Sequence, residues 1–379
     1  MEATPGHRPR LTAAEFFAGT GLVRRALEKA GVHVVWANDI DPTKATVYAS
    51  NFHSGEFLLG DVAEVEGRLI PSVDIATASF PCTDLSLAGN RAGLDGHESG
   101  TFWQFVRILR EMGSRKPPVA LLENVAGLGS SQDGRDLSEA VESMNGLGYS
   151  CDLLLLDARY WVPQSRPRVF IVGALHPPTR FASWMSAPEL RPGWMERFRI
   201  THPSLSLHFV PLELPGSDTE SLRDVIQPIT DDDSRWWGSE RIERFVGSLS
   251  SVQSARLSML QQAMDRLYRT AYRRTRSGRA VWEIRADELS GCLRTARGGS
   301  SRQALVEAGK GTLRIRWMIA QEYARLMGAE DHDFSAVTET QALFGLGDGV
   351  CIPVVTWLTN RYLAPLVLGE LEHPDAATA

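Results

Sequence analysis

Short apolar runs alternate with helical patterns through the first half of the chain, and this alternation constrains the fold more than any other feature. Apolar runs at 12–17, 32–36, 73–79, 119–122, 153–156 and 169–172 have the length of buried strands. Between them, helical patterns follow residue 22 and Pro42 and cover 102–112 and 137–147. The order predicts an α/β fold, with a Rossmann-like, doubly wound sheet that has helices on both faces.

The alternation stops near residue 177, which predicts a second domain of different construction. Prolines, tryptophans and serines dominate up to about residue 237 without a clear period. We therefore expect one domain at 1–176, a smaller irregular domain at 177–285, and a hinge region at 286–379 that returns to the first domain. In that last part, residues 320–327 and the apolar run at 352–358 are typical of helices.

Charge is unevenly distributed along the chain. The 379 residues have a net charge of −6 and a pI of about 5.9, which argues mildly against a nucleic-acid partner. The stretch at 256–302 reverses that balance, because arginines greatly outnumber acids there. Its sequence Arg-Thr-Ala-Arg-Gly-Gly at 294–299 favours phosphate contact, while a solvated helix face is the alternative for the charge run.

Cysteine spacing and hydropathy exclude several classes of protein. Cys82, Cys151, Cys292 and Cys351 are too far apart to suggest a zinc site or a disulfide framework. No apolar run approaches the roughly 20 residues that span a bilayer. The first ten residues lack an apolar signal core. We expect a cytoplasmic protein without a membrane partner.

A glycine turn and two acids follow the first predicted strands. The sequence Phe-Ala-Gly-Thr-Gly at 17–21 lies between a strand and a helix, where glycines allow a ligand to approach the backbone and helix N–H groups are free. Asp39 and Asp61 end the next two segments and could accept hydrogen bonds from a ribose and an adenine amino group. A bare structural turn is the alternative for the glycines, and a helix cap is the alternative for Asp39. Together these features predict an adenosine pocket.

A thiol follows the buried run at 73–79. Proline precedes it in Phe80-Pro81-Cys82, so the thiol lies on a loop beyond a strand end, where it is placed for attack. The alternative is a small buried side chain, which is the usual state of a free cysteine. The glycine-rich stretch at 87–100 has the length and composition of a closing lid.

A carboxylate and two arginines are predicted near that thiol. Glu123 ends the strand that begins near residue 119, and it faces the same side as Cys82. Arg166 and Arg168, in the sequence Gln-Ser-Arg-Pro-Arg at 164–168, would share one face of the next strand by alternation. Helix capping for Glu123 and a surface position for the arginines are the alternatives.

As an ordered set, these motifs resemble the bacterial DNA cytosine-carbon-5 methyltransferase family. Phe-Ala-Gly-x-Gly, Phe-Pro-Cys, Glu-Asn-Val and Gln-x-Arg-x-Arg occur in the family's order across nearly all of 12–175, and the likeness resumes at about 286–362. The endings at 322–328 and 347–350 also fit. The resemblance implies a methyltransferase sheet with a target-recognition domain. It also implies methyl transfer from S-adenosylmethionine to carbon 5 of a cytosine in a specific duplex DNA sequence.

The resemblance also implies a role for each motif. Cys82 would attack carbon 6 of a flipped-out cytosine, Glu123 would hydrogen-bond ring nitrogen 3 and the amino group, and Arg168 with Arg166 would stabilise charge at the carbonyl oxygen. S-adenosylhomocysteine is the product, and no metal is required. The implied cofactor-binding residues are Phe17, Ala18, Gly19, Thr20, Gly21, Leu22, Asp39, Ile40, Asp61, Val62, Pro81, Phe102, Asp348, Gly349 and Val350. The implied DNA contacts are Thr83, Ser86, Arg91, Gln164, Arg294 and Arg297.

The chain departs from the family pattern at three of these positions. Thr83 stands where many relatives have glutamine, Asp348 where asparagine is usual, and Leu22 where a second glycine occurs. None of these changes removes a catalytic group.

Two other functions remain as alternatives, and a third is disfavoured. A tRNA cytosine methyltransferase shares the same core, and an inactive DNA-binding relative would keep the fold. A nicotinamide-dependent dehydrogenase requires a full glycine fingerprint, which this chain lacks. For the favoured function we expect a monomer in a restriction-modification or phage-defence setting.

Overall fold

The chain divides into two compact units. The computed structural model describes residues 10–81, 100–178, 188–216, 220–276, 278–294 and 302–372. Unit 1 comprises 1–156, 167–214 and 354–379, and unit 2 comprises 157–166 and 215–353.

These units differ from the predicted domains at three places. The predicted hinge region is divided, because 286–353 lie in unit 2 and 354–379 in unit 1. Residues 177–214, expected in the second domain, lie in unit 1. The backbone of this stretch pairs with the end of the sheet there, since Cys151 N donates to Ser206 O (3.0 Å) and Leu155 N to Leu190 O (2.7 Å). Residues 157–166, expected in the first domain, lie in unit 2.

A seven-stranded sheet forms the centre of unit 1. Its strands are β1 Thr12–Phe16, β2 His33–Asp39, β3 Phe57–Leu59, β4 Ile75–Ala78, β5 Val119–Val125, β6 Ser150–Asp157 and β7 Pro167–Ala174. They lie in the order β3-β2-β1-β4-β5-β7-β6. The first five strands in that order are parallel to their neighbours, whereas β7 runs antiparallel to β5. The short β3 was not predicted, because three residues are too few to show a pattern.

The helices confirm the predicted alternation. They are α1 Leu22–Lys29, α2 Pro42–Asn51, α3 Thr101–Met112, α4 Arg135–Gly146, α5 Gly193–Thr201, α6 Leu222–Val225, α7 Ser239–Gly247, α8 Ser251–Gln262, α9 Ala320–Leu326, α10 Glu339–Asp348, α11 Ile352–Leu358 and α12 Ala364–Leu368. The start of α2 shows how sequence sets a boundary. Asp41 accepts from Thr43 N at 2.8 Å, and Pro42 occupies the first turn, where its missing N–H costs nothing.

Side chains alternate between the two faces of the sheet, and helices cover both. Ala14 and Phe16 of β1 belong to one apolar core with the buried faces of α3 and α4. Glu15, between them, faces the other way and accepts a hydrogen bond from Arg24 N of α1 at 3.1 Å. The predicted doubly wound α/β arrangement is therefore confirmed.

A buried carboxylate joins three distant segments of unit 1. Asp152 on β6 is 0% exposed and pairs with Arg191, at 2.6 Å between Oδ2 and Nη2. The Tyr362 hydroxyl donates to Asp152 Oδ2 at 3.0 Å, and a ring nitrogen of His208 lies 2.8 Å from that hydroxyl. Burial lowers the pKa of His208, which favours the neutral ring. The network fastens residues 188–212 and the C-terminal helical segment to the sheet.

Unit 2 is more regular than predicted. It contains the four-stranded antiparallel sheet β11-β10-β8-β9, built from β8 Leu267–Arg276, β9 Arg279–Ile284, β10 Ala304–Gly309 and β11 Thr312–Trp317. Its core packs α7 and α8 against one face of this sheet, through Phe245, Leu257, Leu260, Val306 and Ile315. The arginine-rich stretch is thus a strand pair for much of its length, and the alternative of a helix face is wrong there.

One stretch near the C-terminus departs from the expectation that no apolar run approaches membrane-spanning length. By length and composition alone, Glu339–Leu368 could cross a bilayer. Its most apolar window is 67% buried in the protein, which is typical of a core helix.

Replacing Arg191 with methionine should destabilise unit 1 strongly. The change leaves Asp152 buried without its cation, a loss that typically costs about 3–5 kcal/mol. Urea unfolding followed by circular dichroism measures the effect. Arg199→Met is the matched control, because Arg199 pairs with Glu196 on an exposed helix surface. Equal unfolding midpoints for the two variants would contradict the assigned role of the network.

Candidate functional site

The predicted site residues of unit 1 gather at one edge of the sheet. The carboxyl ends of parallel strands meet at a common edge, and here they carry Phe17, Asp39, Asp61, Pro81 and Glu123. Because β7 is antiparallel to β5, its first residues lie at the same edge, and Arg168 is in register with Val125. This edge therefore combines a glycine turn, acids and an arginine.

At two positions, the turn after β1 has a left-handed backbone conformation that glycine adopts most readily. Gly19 has φ +57° and Gly21 has φ +84°. A Cβ on Gly21 would lie 2.5 Å from Phe52 Cε2 and 2.9 Å from Tyr48 Cδ2, so α2 packs where a side chain would be. A Cβ on Gly19 would meet no atom of the described residues within 4 Å, so these residues leave open space on that side of the turn. Phe17 also has a positive φ, +57°.

Two carboxylates accept backbone hydrogen bonds from this turn and from the helix that follows it. Asp39 Oδ2 accepts from Gly19 N at 2.7 Å, and its Oδ1 accepts from Asp41 N at 2.9 Å. Glu15 Oε1 accepts from Arg24 N and so caps the first turn of α1. Glu15 was not among the predicted site residues, although an acid inside an otherwise apolar strand was a visible signal.

The environment of Glu15 is unusual for an acid. It is 1% exposed, and its Oε2 has no hydrogen-bond partner among the described residues. Burial raises the pKa of Glu15 to about 8, against the opposing effect of the hydrogen bond from Arg24 N. The carboxyl is therefore mainly protonated at neutral pH.

Residues after β2 and β3 shape the neighbouring surface. Ile40 is 63% exposed, which is uncommon for a large aliphatic side chain and leaves an apolar face beside the turn. Asn38 donates to Leu58 O and Gly60 O, both at 2.9 Å, and so ties the two strand ends together. Asp61 is exposed and accepts from Ala63 N at 2.9 Å. This capping contact of Asp61 is compatible with its predicted ligand role, which stays a prediction.

A buried amide positions the loop that leads to the predicted nucleophile. Asn124 is 2% exposed, and its Nδ2 donates to Phe80 O at 3.0 Å. The end of β5 thus holds the backbone two residues before Cys82. Cys82, Thr83, Ser86, Arg91 and Arg297 lie outside the described residues.

Glu123 and Arg168 form an ion pair at this edge. Arg168 Nε lies 3.0 Å from Glu123 Oε1, with side chains 13% and 10% exposed. Register explains the contact, because Glu123 and Val125 share a face of β5 and Arg168 is paired with Val125. Arg168 Nη1 also donates to Pro167 O at 2.9 Å. The ion pair thus fixes the orientation of a nearly buried carboxyl group at this edge of the sheet.

Arg166 has a different environment from Arg168, which corrects the expectation that they share one strand face. It precedes β7, belongs to unit 2 and is 2% exposed. Its guanidinium donates to Leu293 O (2.8 Å), Gly347 O (2.8 Å) and Gly349 O (2.6 Å). Arg166 therefore holds the predicted cofactor segment around Gly349, and its catalytic role stays a prediction.

Gln164 is likewise buried and hydrogen-bonded within unit 2, and its DNA contact stays a prediction. It is 0% exposed, and its amide is used at both ends. Nε2 donates to Leu326 O at 2.7 Å, and Oε1 accepts from Leu293 N at 3.2 Å. These bonds explain why residues 157–166 belong to unit 2.

The other predicted residues vary in exposure. Phe102 is 0% exposed, with its ring 5.3 Å from that of Phe80 in the apolar core. Asp348 and Arg294 are exposed in unit 2. Ala18, Thr20, Leu22, Val62 and Val350 are all buried. Ligand contact by these residues stays a prediction.

The match to a family model decides the family. Residues 11–363 match the model described as C-5 cytosine-specific DNA methylase. The chain belongs to this family. Membership confirms the assignment made from the motifs. The matched residues include parts of both units.

Individual relatives match only part of this chain. It is 36% identical to Type II methyltransferase M.MspI of Moraxella sp over 163 residues, which cover 43% of this chain and 38% of the relative. It is 36% identical to Type II methyltransferase M.HhaI of Haemophilus parahaemolyticus over 159 residues, covering 42% of this chain and 47% of the relative. The matched region thus spans less than half of each of these two relatives.

A solved structure supports the fold over a longer range. The crystal structure of S. pombe Dnmt2 methyltransferase aligns with a TM-score of 0.61 over 96% of this chain and 100% of that chain. Sequence identity is 18%, so the likeness concerns the fold alone. The predicted Rossmann-like methyltransferase fold is confirmed.

Replacing Glu15 with glutamine should change how stability depends on pH. The folded pKa of about 8 is above the ordinary glutamate value of 4.5, so the wild type loses stability as pH rises between these values. The loss should approach about 1.4 kcal/mol per pH unit. The variant should therefore gain stability relative to the wild type from pH 5 to pH 8, and the difference should level off above pH 8.

Denaturant unfolding at several pH values measures this difference. Glu139→Gln on α4 is the control, because Glu139 lies at the protein surface near Arg135. A stability difference between Glu15→Gln and wild type that stays constant from pH 5 to pH 8 would refute the assignment.

Two glycine substitutions separate backbone strain from steric overlap at the turn. Gly31→Ala adds backbone strain alone, because Gly31 has φ +81° and no described atom lies within 4 Å of the added Cβ. It should lower the free energy of unfolding by about 1–2 kcal/mol. Gly21→Ala adds a clash with α2, so its cost should exceed that of Gly31→Ala by about 1–3 kcal/mol. Thermal unfolding compares them, and equal losses would show that α2 gives way freely.

Proposed function

We propose that this chain is a DNA (cytosine-5-)-methyltransferase. It would transfer a methyl group from S-adenosylmethionine to carbon 5 of a cytosine flipped out of a specific duplex sequence. The observation that carries the proposal is the Glu123–Arg168 ion pair at the edge of the sheet where the loop bearing Cys82 begins. Family membership supports the same activity.

The residues present fit S-adenosylmethionine. The open side of Gly19, the exposed Ile40 and the acids Asp39 and Asp61 provide backbone access, an apolar face and acceptors beside one turn. Phe17, Gly19 and Ile40 would hold the adenosine and methionine parts. When bound, this cofactor supplies an electrophilic methyl group. We also assign Asp348–Val350, held in place by Arg166, to the methionine end.

Cys82 is the nucleophile in this proposal. Its thiolate forms a sulfur–carbon bond to carbon 6 of cytosine, which makes carbon 5 electron-rich and ready to accept the methyl group. Once carbon 5 carries the methyl group, with S-adenosylhomocysteine as the other product, it would lose its proton to a base, and the carbon–sulfur bond would break to restore the aromatic ring and the thiolate. The duplex must release the base from its stack, because the ring is not accessible there.

Glu123 and Arg168 promote the attack. The Glu123 carboxyl would donate its proton to ring nitrogen 3 and accept from the amino group. A ring protonated at nitrogen 3 is electron-poor, so carbon 6 is attacked more readily. Arg168 orients that carboxyl through the 3.0 Å ion pair and places positive charge toward the carbonyl oxygen. Because the protein fixes these charges in advance, they stabilise the transition state without the reorientation that water molecules would need.

The wider setting follows from this activity. We assign target recognition to unit 2, with phosphate contacts from the loop that includes Arg294 and Arg297, and further DNA contacts from Thr83, Ser86 and Arg91. The protein would act as a cytoplasmic monomer on double-stranded DNA. Methylation of a fixed sequence suits a restriction-modification or phage-defence system, which is the role that we propose.

Expression in a host without DNA methylation tests the proposal. Bisulfite sequencing should show cytosines protected within one sequence motif for the wild type and for Cys351→Ala. Cys82→Ser should show none, because its hydroxyl is a far weaker nucleophile. Methylation of tRNA with unprotected DNA would contradict the proposed substrate, and protection by Cys82→Ser would contradict the mechanism.

A double-mutant cycle tests whether Glu123 and Arg168 act as one unit. Glu123→Gln and Arg168→Gln should each lower kcat by about 10²-fold or more. The double variant should lose little more than the worse single variant, because each change already disrupts the pair. Transfer of labelled methyl groups to unmethylated DNA measures kcat. Multiplicative losses would show that the two residues act independently.

A further inference from the structure

Three tryptophans form a compact group in unit 2, which we call the tryptophan cluster. Trp237 precedes α7, Trp282 lies on β9 and Trp317 ends β11. Their ring centroids are 5.6 Å (Trp237–Trp282), 5.2 Å (Trp237–Trp317) and 5.6 Å (Trp282–Trp317) apart. Trp237 is 7% exposed, whereas the other two are half-buried. The cluster thus reaches from the core to the surface.

Arginines from different elements converge on this cluster. Arg241 of α7 lies over the Trp237 ring at 4.1 Å and over the Trp317 ring at 5.2 Å. Arg302 lies over the Trp317 ring at 5.8 Å. Arg273 of β8 is paired with Trp282 across the strands and so projects from the same face of the sheet.

The nearby carboxylates leave part of this positive charge uncompensated. Arg302 pairs with Glu339 at 2.7 Å, and Glu283 on the opposite strand face is used by Arg274 and Arg276. Arg241 and Arg273 have no carboxylate partner within the described ranges.

Helix geometry places a further arginine beside Arg241. Arg244 follows it by three residues and so lies on the same side of α7. Its own carboxylate contact is long, 3.6 Å to Glu240, and both side chains are largely exposed. Burial and the neighbouring Arg244, Arg273 and Arg302 lower the pKa of Arg241, so these guanidinium groups repel one another without a ligand.

We propose that Arg241, Arg244 and Arg273 form a phosphate-binding patch for the backbone of duplex DNA. Guanidinium groups bind phosphate oxygens through paired hydrogen bonds. Stacking on the tryptophan cluster orders Arg241 in advance, so less entropy is lost on binding. The inference rests on the proposed function for its choice of duplex DNA. Contacts of this kind fix the position of the duplex and do not read its sequence.

The salt dependence of DNA binding tests the patch. Each phosphate contact contributes about 0.9 to the slope of log Kobs against log salt concentration. Arg241→Gln/Arg273→Gln should make this slope shallower by about 2, and at about 0.1 M salt it should weaken binding by tenfold or more. Fluorescence anisotropy with a labelled duplex measures both quantities in the full chain. Arg241→Lys/Arg273→Lys keeps the charges and should retain the slope.

A charge-matched control separates the patch from overall charge. Arg68→Gln/Arg199→Gln removes two exposed arginines of unit 1, which pair with Glu66 and Glu196. It should change the slope little. Equal losses in the two glutamine variants would overturn the patch. Thermal unfolding confirms that each variant folds.

The outcomes also distinguish the patch from the proposed function. A wild type that methylates DNA, with unchanged binding by Arg241→Gln/Arg273→Gln, would overturn the patch alone. A wild type that methylates tRNA and not DNA would overturn the proposed function. If that wild type also binds tRNA through these arginines and does not bind duplex DNA, the assigned partner is wrong as well.

Discussion

The ion pair between Glu123 and Arg168 depends on one topological feature, the antiparallel direction of β7 beside β5. In a wholly parallel sheet the first residues of β7 would lie at the amino edge, far from the carboxyl end of β5. Reversal brings Arg168 into register with Val125 and within 3.0 Å of Glu123. An acid and a guanidinium are thereby fixed by two rigid strands, at the edge where the other strands deliver the glycine turn and the cysteine loop.

Buried polar side chains fix the loops around this pair. Asp39 holds the amide of Gly19, Glu15 caps α1, and Asn124 holds Phe80 O. In unit 2, Arg166 does the same for the segment around Gly349. Each buried polar group gains from being hydrogen-bonded, since a lost partner costs about 1–3 kcal/mol. These side chains therefore order the loops that surround the ion pair.

Local pattern made unit 1 predictable and left most of unit 2 unpredicted. The strands of unit 1 are continuous apolar runs because both faces of the sheet are covered. In β8, arginines stand on both faces, as Arg273 and Arg274 show, so no apolar alternation marks the strand. The hydrogen bonds of Arg166 could not be predicted from local pattern either, because its carbonyl partners lie 127, 181 and 183 residues away in the chain.

The central claim is that Cys82 attacks a cytosine in DNA, and covalent trapping tests it most directly. Duplex DNA made with 5-fluorocytosine, mixed with the protein and S-adenosylmethionine, should stop after methyl transfer. Fluorine cannot leave carbon 5 as a proton does, so the carbon–sulfur bond cannot break. Mass spectrometry of the digested complex should find the modified base on the peptide that contains Cys82. Absence of any adduct from a folded, cofactor-binding protein, or an adduct at Cys151, Cys292 or Cys351 instead, would contradict the account.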